Sequence, residues 1–425
     1  MSKKTIEGIT KIAVKSFKSI AEECAIDIRP LTILAGANSS GKSSIIQPLL
    51  MLKQTLEAPY DPGPLLLDGP NVQFTEASQF LSKLTDEKRA DHFQVSIGIG
   101  MDGVSRLVGM TFRRGENGFE IGKMTVENEL LHLVLYPEMP IEVIRGGGKQ
   151  YLYDKKYIAK RFLHCSLYLR SEESRESRFV ADHEHYIFHS IHLPGLRGNP
   201  ERIYKLTSTG PRYPGTFENY IASILHEWHE TKDKRLKTVA DALHTLGLTG
   251  KVGTKKIGDV GIELQVGPLP HDRTDEVDTV NITDVGLGVS QVLPVLVALI
   301  AAEPGRLVYI EQPELHLHPR AQVALAQVLA DAAKRGVRVV AETHSSLLLL
   351  GVQTLVAEGD LSPELVKLHW FTRREDGITE VDSVDLDEAG TYGEWPIDFD
   401  DVSLNVQSRF LDAVDNVRFG DKETS

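Results

Sequence analysis

Cysteine is nearly absent from this chain: Cys24 and Cys165 are the only two in 425 residues. Two thiols so far apart make neither a disulfide framework nor a metal cluster, and they read as free thiols of a reducing compartment. Long apolar runs are missing too. No stretch approaches the ~20 residues that span a bilayer, and the opening MSKKTIEGIT lacks the apolar core of a secretory leader. The expectation is a cytoplasmic protein with no membrane partner. A basic surplus is also lacking, since 47 Lys and Arg against 60 Asp and Glu leave a formal charge of −13. Proteins that coat nucleic acid draw most of their affinity from phosphate contacts. A broad DNA-coating surface is therefore disfavoured, while a local basic groove stays open. Internal repeats, low-complexity tracts and long heptad runs are absent as well.

What is present is an ordinary globular mixture, 41% apolar and 25% charged, in a chain long enough for two or three cores. KIAVKSF at 11–17 and CAIDIRP at 24–30 alternate as half-buried strands do. LTILAG at 31–36 is a short apolar run ending in glycine, and SSIIQPLLMLKQTLE follows at helical spacing, with Pro48 expected to kink it. From about 93 to 154 the period becomes two, between Gly-, Asp- and Asn-rich turns, which predicts an antiparallel sheet. Residues 162–191 are polar and predict a helix or a solvated connection. FENYIASILHEWHE and KRLKTVADALHTLGL predict amphipathic helices. The last βαβ pattern runs from 307 to 341.

Four motifs carry chemistry. Gly36-Ala37-Asn38-Ser39-Ser40-Gly41-Lys42-Ser43 fits G-x-x-x-x-G-K-[ST] in full, after an apolar strand and before a helix. The glycines let the backbone curl so that successive N–H groups face phosphate oxygens, and the helix adds its positive end. Lys42 is placed to reach the β- and γ-phosphates, and the Ser43 hydroxyl to ligate Mg²⁺. LVYIEQPELHLHP at 307–319 ends a buried strand in Glu311, an acid positioned to hold Mg²⁺ directly or through water. VVAETHSS ends the next strand with His344, a candidate to contact the γ-phosphate or orient water. In NITDVGLGVSQVLPVLVAL, a Gly-x-Gly-x-Ser-Gln turn opens an apolar helix and suits an anion. His316 and His318, two apart in a turn, read as structural rather than as a zinc pair. Arg197 and Arg202 in PGLRGNPERIY are candidates for phosphate or dimer contacts, against a solvated loop.

Taken in order, KSFKSI, LTILAGANSSGKSSIIQPLLMLKQTL, HLPGLRGNPERIY, DVGLGVSQVLPVLV, YIEQPELHLHPRAQ, ETHSS and YGEWPIDFDD resemble the ABC-type ATPases of the SMC, RecF and OLD group. The likeness is strongest to bacterial AAA-family proteins labelled AAA15 and AAA21. The resemblance implies an α/β fold: a P-loop NTPase head of ABC type with an antiparallel β subdomain and a helical insertion. The expected division is 1–90 and 256–425 for the two halves of the head, 91–160 for the β subdomain and 161–255 for the helical or connecting insertion. It also implies a head-to-tail dimer with ATP and Mg²⁺ between subunits. Gly36 to Ser43 and the adjoining Ser44 would bind phosphate. Gly286, Gly288, Ser290 and Gln291 would form the signature that closes on the partner's ATP. Glu311 matches the strand-end acid and His344 the switch histidine. Gln73 and Gln79 are the candidates for a Q-loop glutamine.

One position departs from the pattern. Where many relatives place a second acid to activate water, this chain has Gln312. An amide is no general base at neutral pH, although glutamine orients water in small GTPases. Glu314 is the candidate to take over, with slow hydrolysis the alternative. The resemblance implies an ATP-gated dimeric switch, the ATPase subunit of an anti-phage defence system with a separate nuclease or toxin as effector. The runner-up is a RecF-like repair ATPase acting on DNA directly. No nuclease activity of its own is expected, because the stretch after His344 is short for the Toprim domain of OLD-type proteins. The turn is not LSGGQ and the insert before Glu311 is long, which disfavours a transporter subunit.

Overall fold

The computed structural model describes residues 7–84, 88–101, 103–115, 118–129, 132–138, 140–146, 149–161, 165–171, 177–178, 183–267, 279–393 and 408–409. At its centre lies a six-stranded sheet in the order Ile191–Leu193, Leu307–Glu311, Arg338–Glu342, Leu31–Gly36, Val366–Arg373, Thr379–Val384. The first five strands are parallel and the last is antiparallel. Both faces are covered, so the middle strands are apolar runs rather than alternating ones: all six residues of Leu31–Gly36 and all five of Arg338–Glu342 are buried.

Successive side chains of one strand therefore feed two different cores. Leu31, Ile33 and Ala35 point into a core shared with helices Ile221–Glu230, Lys234–Thr245, Leu287–Ala301, Pro319–Lys334 and Ser346–Ala357. Leu34, Tyr309 and Val340 point the other way, into a core shared with helix Lys42–Glu57 and a second sheet. That second sheet is antiparallel, in the order Cys24–Asp27, Gly8–Lys15, His92–Met101, Val104–Gly115, Gly118–Glu127, His132–Leu135. Phe17, Phe74, Phe80, Phe93, Phe112 and Phe119 form one aromatic cluster in this core, with neighbouring ring centroids 5.1–6.2 Å apart.

The structure redraws two expectations. The first two strands of the chain belong to the antiparallel sheet, so that sheet crosses the 90/91 boundary: Gly8–Lys15 pairs with His92–Met101. The 161–255 stretch carries helices His183–Phe188, Ile221–Glu230 and Lys234–Thr245, but also strand Ile191–Leu193, which forms one edge of the central sheet. A strand of three buried residues is too short to show a period, and its polar approach concealed it. Helix Lys42–Glu57 continues through Pro48. Of YGEWPIDFDD, only the first two residues lie among those described.

Candidate nucleotide site

The phosphate loop joins central strand Leu31–Gly36 to helix Lys42–Glu57, and its two glycines are required twice over. Gly36 has φ 140° and Gly41 φ 107°, which side chains with a Cβ rarely adopt. A Cβ on Gly36 would also meet Phe371 O at 2.2 Å, and one on Gly41 would meet Thr379 Oγ1 at 2.3 Å. The loop is thus wedged against the neighbouring strand and its hairpin. Helix Lys42–Glu57 starts with no side-chain cap, which leaves its first N–H groups to an anion. Lys42 is buried, and its Nζ donates to Gly36 O at 3.0 Å and Ala37 O at 2.7 Å. Burial holds its ammonium pKa below the ordinary value, against the pull of Glu342 and Glu314.

A cleft of about 840 Å³ opens over the loop, lined by Ser39 to Ser44 and by Lys18, Gln47, Gln79, Glu342, Arg373 and Asp376. Ser40 Oγ and Gln47 Oε1 are buried there without a hydrogen-bond partner. Orphaned polar atoms beside an uncapped helix start fit a polar, phosphate-bearing ligand. Of the two glutamines singled out from sequence, Gln79 lines the cleft and Gln73 does not. The Gln79 side chain accepts from Thr75 N at 2.8 Å, capping its own short turn.

The acids divide. Ser43 Oγ donates to Glu342, 3.1 Å from Oε1 and 2.9 Å from Oε2, and Tyr309 OH donates to Glu342 Oε2 at 2.8 Å. Burial raises the Glu342 carboxyl pKa. Glu311 faces elsewhere: its Oε1 lies 3.1 Å from His192 Nε2, and its Oε2 accepts from Gly195 N at 3.2 Å. Burial pushes the Glu311 carboxyl up, but these bonds and the Arg197 charge outweigh it and leave it below the usual range. Gln312 sits at φ 45°, a strained turn for a residue with a Cβ. Its N–H donates to Glu342 O at 2.7 Å. That turn brings Glu314 back beneath the switch-histidine strand, where Oε1 accepts from His344 N at 3.0 Å. Glu314 Oε2 is buried with no hydrogen bond of ordinary length, and burial raises this carboxyl. Burial and the charge of Lys42 lower the His344 pKa.

Arg197 is the residue whose role changes most from its sequence reading. It is only 7% exposed. Its Nη1 donates to Gln291 O at 3.1 Å, and its Nη2 to Glu311 O at 2.6 Å and Gln312 O at 3.1 Å. It ties the signature helix to the acid-bearing turn rather than presenting itself to phosphate. Desolvation lowers its pKa to about 10 against the pull of Glu314, Glu218 and Glu311. Arg202 remains exposed and pairs with Asp284 at 2.5 Å.

The signature residues stand apart from the cleft. Gly286 caps helix Leu287–Ala301, Ser290 Oγ donates to Leu287 O at 3.0 Å, and Gln291 Nε2 donates to Gly198 O at 2.8 Å. None of Gly286, Gly288, Ser290, Gln291, Glu311, Gln312, Glu314 and His344 lines the cleft over the loop. His318 caps helix Pro319–Lys334, and among the described residues no group of three or more His, Cys, Asp or Glu could hold a metal. Sequence reasoning missed Glu342, Tyr309 and His192. The only signal for Glu342 was an acid ending an otherwise apolar strand, one residue before Thr343.

Comparisons with known proteins agree with this architecture. Residues 8–100 match a family model described as "AAA ATPase domain". Residues 180–350 match an "AAA domain" model named for the AbiEii toxin and "Type IV TA system". The Old nuclease of Escherichia phage P2 is 22% identical over 376 residues, which is 80% of this chain and 57% of that protein's length. The crystal structure of an SMC head bound to the C-terminal winged-helix domain of ScpA superposes with a TM-score of 0.52 at 14% identity, over 90% of this chain and 99% of that one. Among the described residues no helix is long and apolar enough to cross a membrane. The phosphate-loop sequence and the acid-ended strands thus fall within two separate stretches that match AAA ATPase models, on a fold similar to that of an SMC head.

Proposed function

We propose that this chain is an ATP-dependent dimeric switch that hydrolyses ATP slowly and controls a separate nuclease or toxin in a bacterial defence system. The observation that carries the reading is a site in two halves. The phosphate loop lies in one cleft, and helix Leu287–Ala301, which starts at Gly286 without a side-chain cap, contributes nothing to its lining, with Leu287 45% exposed. A second copy, turned head to tail, supplies the missing half. The net charge of −13 favours a protein effector over direct coating of DNA.

The residues divide the work. Loop N–H groups and Lys42 bind and orient the phosphates. Mg²⁺, when bound, neutralises charge on the β- and γ-phosphates; Ser43 and a neighbouring carboxylate would hold it. Gln312 orients water but takes no proton. Glu314, with one buried oxygen free of ordinary hydrogen bonds and its pKa raised by burial, is the acceptor for the water proton. His344 senses the γ-phosphate from the end of its strand.

Sizing wild type and Lys42→Ala with and without ATP tests the reading. Wild type is expected to dimerise with ATP and the variant to stay monomeric. Wild type that remains a monomer in every nucleotide sinks the switch. Glu314→Gln is expected to lower turnover about 100-fold or more while leaving ATP-driven dimerisation intact.

A further inference from the structure

In a site of this kind the metal-binding carboxylate is expected on Glu311. We propose instead that Glu342 is the protein carboxylate that ligates the divalent cation, together with the Ser43 hydroxyl, and that Tyr309 holds it in place. The inference rests on the nucleotide-binding reading above.

Strand order is the first reason. Glu311 and Glu342 are register partners on adjacent parallel strands, and Glu342 is in turn the partner of Leu34 on the phosphate-loop strand. The strand bearing Glu342 therefore lies between the other two. At about 4.8 Å per strand, Glu342 is one strand from the loop strand and Glu311 two.

Geometry is the second. Mg²⁺ demands near-octahedral oxygen ligands at about 2.1 Å, which puts neighbouring ligand oxygens about 3 Å apart. Ser43 Oγ lies 2.9 Å and 3.1 Å from the two Glu342 oxygens. One oxygen of each is already spaced as two adjacent corners of such an octahedron. Tyr309 donates to Oε2, which fixes the carboxylate and leaves Oε1 to the ion. Glu342 also lines the cleft, and Glu311 does not.

The engagement of Glu311 is the third. Its oxygens receive Gly195 N and face His192 Nε2, whose ring stacks on Tyr309 at 5.5 Å. Glu311 thus anchors the segment that carries Arg197, and acts as a positioning residue. A single carboxylate suffices, because Mg²⁺ in such sites keeps waters and takes its other ligands from phosphates.

The competing explanation is a self-satisfied buried network of Ser43, Tyr309 and Glu342 with no metal role. Mn²⁺ binding in the presence of ADP, read by electron paramagnetic resonance, separates the two without turnover. ADP affinity in EDTA, by calorimetry, serves as the control. Glu342→Gln is expected to weaken Mn²⁺ about 10-fold or more with ADP affinity in EDTA unchanged. Glu311→Gln is expected to change Mn²⁺ affinity less than about 3-fold, and Tyr309→Phe to fall between. Should Glu342→Gln fold poorly by thermal denaturation, Glu342→Asp keeps the charge, moves the oxygens by one methylene, and is expected to weaken Mn²⁺ likewise. Folded Glu342 variants with wild-type Mn²⁺ affinity, or loss confined to Glu311→Gln, overturn the assignment. Wild type that binds no ADP or ATP overturns the nucleotide reading itself.

Discussion

The phosphate loop and the signature turn are both glycine-rich approaches to a helix, yet the space around them differs. Gly36 and Gly41 are crowded, with atoms 2.2 Å and 2.3 Å from where a Cβ would sit. Gly286 has nothing within 4 Å, and the nearest atom to a Cβ on Gly288 is 3.4 Å away. The first loop is finished within the chain: Phe371 and Thr379 of the neighbouring hairpin press on its two glycines. The second has open space around it, as the proposed partner surface requires. The same residue type serves conformation in one place and access in the other, and the sequence pattern alone does not separate them.

That contrast can be broken experimentally at its strongest point first. Gly36→Ala combines a forbidden φ with a clash against backbone, and is expected to cost about 3 kcal/mol or more, read as a lowered denaturant midpoint with loss of ATP binding. A midpoint equal to wild type would show the loop to be as loosely held as the signature turn.

Acid strikes the same crowded side. His369 lies on the strand beside the phosphate loop, its Nδ1 2.7 Å from Ser383 Oγ and its Nε2 2.8 Å from Asp27 O. Desolvation lowers its pKa from 6.5 to about 4. The unfolded state binds the proton more readily, so stability is full above pH 6.5 and declines as pH falls towards 4. The loss reaches at most about 3 kcal/mol. The neighbouring Asp385 is held below the usual carboxylate range, first by its bond from Lys367, so the slope between pH 6.5 and 5 is the diagnostic part, and His369→Gln should flatten it.

Arg197 ties the signature helix to the acid-bearing turn, and Arg197→Ala should cost about 2 kcal/mol, by leaving three carbonyls without their donor. Turnover should fall more than stability, because the Gln312 turn loses its clamp. Equal turnover per folded molecule would remove Arg197 from the coupling. Smallest in stability is Gly286→Ala, expected to shift unfolding by less than about 0.5 kcal/mol while weakening ATP-driven dimerisation. Unchanged dimerisation would mean that the signature turn is not the partner surface.

Much of this was legible beforehand. The loop from Gly36 to Ser43 is readable because phosphate binding needs those residue types at that spacing, and an apolar strand and a helix flank it in sequence. The amphipathic helices and the antiparallel stretch are readable from period alone. Pairing was not. Gly8–Lys15 looked like a strand, but nothing local shows that it pairs with a strand some eighty residues on. Ile191–Leu193 was hidden in a polar stretch because three residues carry no period. Arg197 read as a surface arginine, since burial among backbone carbonyls depends on what folds over it.

The sequence by itself determined that residues 36–43 form a loop of phosphate-binding pattern, and that the amide of Gln312 stands where a base is expected. Both are matters of residue chemistry at fixed local spacing. Only the tertiary structure decided which carboxylate faces Ser43. Glu311 and Glu342 both end apolar strands, and each looks equally apt until the strands are ordered. The parallel crossovers place the later strand between the earlier two, so the acid next to the loop is the one farther from it in sequence.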